Sequence, residues 1–351
     1  MKNLYIMGTA GSGKTSVATG LALKFSREGY RVAYFKPIGN ITGAFLREDE
    51  DAVLMKQILH MEHPLETIVP YIAGPSYLSG YKNHCESLKN IRKAYETVAE
   101  GNDLVIIGGA NFPHIMGCLG LDAPSLAQEL DAVPLFMIKI NNDYSLDHAI
   151  FINNYMQCKG IPVLGNIFHN VPRPLLAKTE GIYRPVLEER GYHTLGIIPS
   201  NAVLTSPKVK EYYEVLGGEI LAGEDNMDRL VEDTVIGAMT IESALGYLRR
   251  NANKAVITGG DRSDVALAAL ETSTSALILT GGLYPDVKVI ARAEEKKVPL
   301  ILVHYDTYNT IEKLSKVTRR IRAKDEETIK MTVDNIEKHV DWRNVLKAII
   351  I

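Results

Sequence analysis

The chain has 351 residues, with 39 Lys and Arg against 42 Asp and Glu and a formal charge of −3 at pH 7. That balance gives no reason to expect a nucleic-acid partner or attraction to anionic lipid, and no run approaches the ~18 apolar residues of a membrane span. Cys85, Cys118 and Cys158 are widely spaced and form no C-x-x-C pair, so neither a disulfide framework nor a zinc site is expected, and a cytoplasmic, reducing setting is.

The apolar strand LYIM opens almost at the N-terminus, leaving no room for a secretory leader. It runs into GTAGSGKTS at 8–16, which fits G-x-x-x-x-G-K-[ST] without a mismatch, between a strand and a helix as that motif requires. Gly8, Gly11 and Gly13 let the backbone, with Thr9, Ala10, Ser12 and Ser16, wrap around phosphate oxygens at a helix N-terminus. Lys14 can reach the β- and γ-phosphates, and Thr15 can ligate Mg²⁺. The helix TSVATGLALKFSREG closes at Gly29, and RVAYF (31–35) is the next strand. Lys36 follows it at the carboxyl edge of the sheet, either as a solvated strand-end lysine or facing a ligand. Asp49 and Asp51, just before the helical DAVLMKQILHM (51–61), serve either as capping charges or as direct or water-mediated Mg²⁺ ligands.

DLVII (103–107) reads as a buried strand ending in Gly108-Gly109-Ala110-Asn111. Phosphate-loop enzymes place a metal-holding carboxylate at such a strand tip. Asp103 is at the wrong end, roughly 13 Å of extended strand away, so the tip has no acid. VPLFMIK (133–139), IPVLGNIF (161–168) and TLGII (194–198) continue the strands, with helices around KNIRKAYETVAEG, APSLAQEL, DHAIFINNYMQCKG and PKVKEYYEVLG.

The polar, acidic LAGEDNMDRL (221–230) reads as a boundary. Beyond it TVIGAM, KAVITGG, SALILTGG and VPLILVHYDT repeat the strand–helix pattern on a smaller scale, two of them ending in T-G-G. The expected fold is α/β: a mainly parallel P-loop sheet with helices on both faces over 1–223, a smaller α/β domain over 224–330, and a helical tail over 331–351 that carries Trp342 and docks on a neighbour. His60 and His63 around Glu62 lack a third ligand and read as a helix terminus, and His304 reads as structural.

GTAGSGKTS, RVAYFKPIG, EDEDA, DLVIIGGA, GNIFHNV and LGIIPSNAVLTSPKV, in that order, resemble the dethiobiotin synthetase-like P-loop fold, in the version found at the N-terminus of some phosphate acetyltransferases. VITGGDRSDVALAAL, LILTGGLYP and VHYDTYNTIEKL resemble the DRTGG domain that follows it there. The resemblance implies ATP phosphates on Gly8–Ser16, Mg²⁺ near Thr15 and Asp51, a substrate- and phosphate-contacting role for Lys36, and adenine near Asn170 and Pro199. The family's third metal-associated residue is a Glu in a V-E-G-A-G-G-like stretch, and here that position is Gly108. The chain ends soon after the DRTGG-like region, so acetyl transfer is not expected.

The leading expectation is an ATP- or ADP-binding regulatory or sensor protein with slow or no turnover. The alternative is an ATP-dependent carboxylate- or carbamate-activating enzyme in which Lys14 and Lys36 stabilise the transferring phosphoryl group. The expected partners are a nucleotide, a small carboxylate in the enzymatic case, and a second copy of the chain, two-fold dimers being the commonest assembly.

Overall fold

The computed structural model describes residues 3–40, 49–74, 76–80, 84–315, 317, 319 and 321–350. It divides into two compact units, Met1–Asn201 with Ile321–Ile351, and Ala202–Arg320.

The first unit is built on β1 (Asn3–Gly8), β2 (Val32–Phe35), a small pair β3 (Ile38–Asn40) and β4 (Tyr71–Ala73), then β5 (Leu104–Gly108), β6 (Ala132–Ile138), β7 (Gly165–Val171) and β8 (Thr194–Pro199). Its main sheet has the order β2-β5-β1-β6-β7-β8 and is parallel throughout. Strands buried along their length need cover on both faces, which is why they read as continuous apolar runs. Alternate side chains divide between the two layers: Leu4, Ile6, Tyr34 and Ile106 on one side, Tyr5, Phe35 and Ile107 on the other. Helix α1 (Lys14–Arg27) belongs to the first of these layers. The C-terminal helix Glu326–His339 approaches α1 so closely that a side chain at Gly20 would collide with Ile336. Trp342, at the start of the last helix, is buried in the same layer with the Lys24 ammonium 4.4 Å from its ring centre.

The second unit contains β9 (Glu219–Ala222), β10 (Asp233–Ile236), β11 (Lys254–Gly259), β12 (Thr274–Thr280) and β13 (Leu300–Leu302) in the order β10-β11-β12-β13-β9. Its first four strands are parallel and β9 runs antiparallel to β13. This moves the expected boundary at 223. The helix Val209–Leu216 and β9 belong to the second unit, and the stretch read as a boundary is tied into it by Val209 N–H donating to the Arg229 carbonyl at 3.0 Å. IPVLGNIF becomes strand only at Gly165, and the strand continues to Val171. Cys118 and Cys158 are free thiols, while the Cys85 side chain lies outside the described residues. No helix among the described residues is long and apolar enough to cross a membrane.

Candidate functional site

Parallel strands bring the loops that follow them to one edge, and there β1 turns through residues 9–13 into α1. Gly13 precedes the helix with φ 85°, and the His169 ring from β7 lies over it, so any Cβ at that position would enter the imidazole. The Lys14 ammonium folds back onto the loop, donating to the carbonyls of Thr9 at 2.8 Å and Gly8 at 3.2 Å. Burial lowers its pKa to about 8, against the pull of Asp51 and with help from Lys36. A partly desolvated ammonium held only by carbonyls is poised to exchange them for phosphate oxygens.

Thr15 in the first turn of α1 donates to Asp51 Oδ1 at 2.7 Å. The other Asp51 oxygen takes the Lys36 ammonium at 2.6 Å, and Asp49 takes the same ammonium at 2.8 Å. Asp49 also caps the helix α2 (Glu50–Ile58) by accepting from the Ala52 N–H. The two acids thus divide the roles left open by sequence: Asp49 caps, and Asp51 meets the phosphate loop. Burial lowers the Lys36 pKa, but the charges of Asp51 and Asp49 outweigh it and the net shift is upward. For Asp51, burial raises the value and the Lys36 charge and hydrogen bond overcome it, with a net downward shift. Lys36 and Asp51 are therefore both held charged.

Thr15 and Asp51 offer one hydroxyl and one carboxylate, a set that fits Mg²⁺ held mainly through phosphate and water. Such an ion would supply charge neutralisation across the phosphates. Among the described residues no group of three or more His, Cys, Asp or Glu gathers as a fuller metal site.

Gly108 ends β5 beside this cluster, and the space above it belongs to Tyr34. A Cβ built on Gly108 would stand 2.7 Å from Tyr34 Cζ and closer still to the hydroxyl. Tyr34 is 2 % exposed, and burial, with the nearby charges of Asp51 and Asp49, raises its pKa well above the usual phenol range. The strand tip thus presents a neutral phenol.

On the other side of the loop, Asn170 sits near the end of β7 with φ 56°, and β8 ends at Pro199, in register with Val171. Ser12 Oγ, His169 Nδ1 and Asn170 Oδ1 are buried without hydrogen-bond partners among the described residues. Buried polar atoms are rarely left unpaired, so three around one loop mark a place where a polar ligand fits. Burial lowers the His169 pKa to about 4, leaving a neutral ring. The structure gathers Gly8–Ser16, Lys36 and Asp51 closely, with Asn170 joined to them through its neighbour His169. Beyond Thr9 and Ala10 a cavity of about 420 Å³ is also lined by Lys139, Asn142, Ser145 and His148.

A phosphate-binding loop between the first parallel strand and its helix, beside a buried lysine–carboxylate cluster, defines a P-loop nucleotide-binding domain. The chain belongs to the AAA domain family, whose model matches residues 2–208, and residues 211–317 match the DRTGG domain. The expected order, a dethiobiotin synthetase-like P-loop domain followed by a DRTGG domain, therefore holds. A phosphate acetyltransferase of Nitratidesulfovibrio vulgaris is 27% identical over 365 residues, covering 97% of this chain and 50% of the relative. One from Pseudomonas putida is 26% identical over 359 residues, covering 97% and 51%. The chain spans about half the length of the curated relatives it matches. Among solved structures, a putative plasmid partition protein from Borrelia burgdorferi bound to AMPPNP has a TM-score of 0.38 at 14% identity, covering 58% of this chain and 90% of that one. The CBS and DRTGG domains of the regulatory region of Clostridium perfringens pyrophosphatase, complexed with the activator diadenosine tetraphosphate, have a TM-score of 0.29 at 15% identity, covering 42% and 73%.

Proposed function

We propose that the first unit binds Mg-ATP or Mg-ADP for regulation or sensing, in a cytoplasmic protein, and turns the nucleotide over slowly or not at all. The observation that carries this reading is the pairing of a complete phosphate loop and its Thr15–Asp51 contact with a strand tip that holds Gly108 and a neutral phenol. With fewer fixed metal ligands, charge developing on a transferring phosphoryl group is less well compensated. Lys14, Thr15 and Asp51 hold the phosphates and metal, and Asn170 with Pro199 lies toward the base. In a thermal shift titration, ADP with Mg²⁺ at roughly 100-fold over Kd should add about 2.7 kcal/mol. Lys14→Ala should remove most of that shift, and an unchanged shift in the variant would place the nucleotide elsewhere.

A second reading, ATP-dependent activation of a carboxylate or carbamate, is supported by the cavity beside Thr9 and Ala10, where Lys139 makes no ion pair or hydrogen bond among the described residues. Rapid ADP release on adding a carboxylate from a panel would favour it over the sensor. We also propose a homodimer held by the second unit, two-fold dimers being the commonest soluble assembly. Light scattering on the full chain tests this. A monomer would remove it.

A further inference from the structure

We propose that Tyr34 and Gly108 form a steric interlock in which the phenol occupies the strand-tip volume that a metal-anchoring acid needs, making Tyr34 the residue that sets how strongly this site depends on a divalent cation. The inference rests on the nucleotide reading of the loop and deepens it. The parallel register pairs Tyr34 with Ile106 and Phe35 with Ile107, so Lys36, the residue after β2, comes alongside the level of Gly108, the last residue of β5. Tyr34 reaches one step further along its own face, and its hydroxyl covers the Gly108 Cα. Even a methyl group at 108 has no room while the ring stays. The ring is itself fixed in a closely packed layer with Ala52, Met55 and Ile106, so it has little freedom to yield. The two positions are therefore coupled: an acid at 108 requires a smaller residue at 34, and a tyrosine at 34 requires glycine at 108. The phenol contributes volume and a neutral hydroxyl beside Asp49 and Asp51, where a third carboxylate would add repulsion that a cation must offset.

A double-mutant cycle tests the interlock without any ligand. Gly108→Ala should lower the Tm of the otherwise unchanged protein by roughly 5–10 °C, the cost of overpacking, and by less than half as much in a Tyr34→Val background. Equal losses in both backgrounds would overturn the interlock. Its consequence for the cation is read in ADP affinity with and without Mg²⁺. Tyr34→Val/Gly108→Glu should gain about tenfold in the tightening that Mg²⁺ gives, relative to Tyr34→Val alone. Tyr34→Val/Gly108→Asp is the alternative if the longer acid prevents folding. A folded double variant that binds ADP with unaltered Mg²⁺ dependence would overturn the role of Tyr34. Failure of every protein, including the unsubstituted one, to bind ADP would instead overturn the nucleotide reading, while the Tm cycle would still decide the interlock.

Discussion

Lys36 in the first unit and Lys254 in the second are both buried, and their ammonium groups are held in different company. Lys36, at the carboxyl edge of the first sheet, lies between Asp49 and Asp51. Lys254, at the amino end of β11, donates to the Asn251 and Ser273 carbonyls at 3.2 and 2.8 Å and to the Thr272 hydroxyl at 2.9 Å. Burial is the largest single cause at each and lowers the value, but at Lys36 the charges and hydrogen bonds of Asp51 and Asp49 together outweigh it and the net shift is upward, whereas at Lys254 burial prevails and the value falls. The glycine-rich edges differ in the same way. Around the phosphate loop three buried polar atoms wait for partners. Around the T-G-G loops the Thr258 hydroxyl bonds to Gly237 and the Thr280 hydroxyl to Thr307 and Thr258. Glycine loops and buried lysines recur in α/β sheets, and what sets the first edge apart is polarity left unpaired among the described residues, at Ser12, His169 and Asn170.

The largest expected effect follows from the lysines. Lys36→Met leaves two carboxylates, one of them buried, without their cation and should cost about 3–5 kcal/mol. Trp342 is the only tryptophan and lies in the first unit, so its fluorescence in urea reports that loss. Lys254→Met removes hydrogen bonds to neutral acceptors and a poorly solvated charge together, and should cost about 1–3 kcal/mol by far-UV circular dichroism. Equal losses would show that burial, and not company, sets the difference.

A smaller, pH-dependent effect separates Lys14 from both. With its folded value at about 8 and its unfolded value near 10.5, the folded chain releases a proton in this window that the unfolded chain keeps. Stability should therefore rise with pH across that window, and the deficit is fully present below pH 8. Bound polyphosphate favours the charged ammonium, so ADP affinity should fall above pH 8, by up to about tenfold per pH unit. Calorimetry of unsubstituted protein and Lys14→Met checks both, and parallel pH profiles would assign the titration to another group.

Local signals made much of this molecule legible in sequence. The phosphate loop is a contiguous motif between a strand and a helix, and Lys36-Pro37 marks a strand end by itself. What escaped depends on pairing between distant segments. Tyr34 in RVAYF reads as one more strand former, and only the register of β2 on β5 carries its hydroxyl over Gly108. His169 lies beyond the expected end of its strand, because β7 keeps its pairing with β8 as far as Val171. The four residues of β9 have too little pattern to announce themselves, and their partner β13 comes much later in the chain. The boundary moved with that pairing.

The smallest expected effect is at Arg262 in the loop after β11, and it sharpens the contrast between the two edges. Its guanidinium contacts Asp264, two residues on and at the surface, at 3.2 Å and donates to the part-buried Met239 carbonyl at 3.0 Å. The Asp264 hydrogen bond and charge raise the Arg262 pKa and lower that of Asp264, as in any solvated pair. Such pairs contribute little, because water and salt screen the attraction and ordering two long side chains offsets much of it. Arg262→Ala should therefore leave the Tm unresolved from that of the unsubstituted protein, with ADP affinity and light-scattering mass unchanged. The same measurements on Lys36→Met should differ in at least the first two. A large drop in ADP affinity or in mass on losing Arg262 would mean that the second edge is also a working surface, and that its internal pairing masks a site.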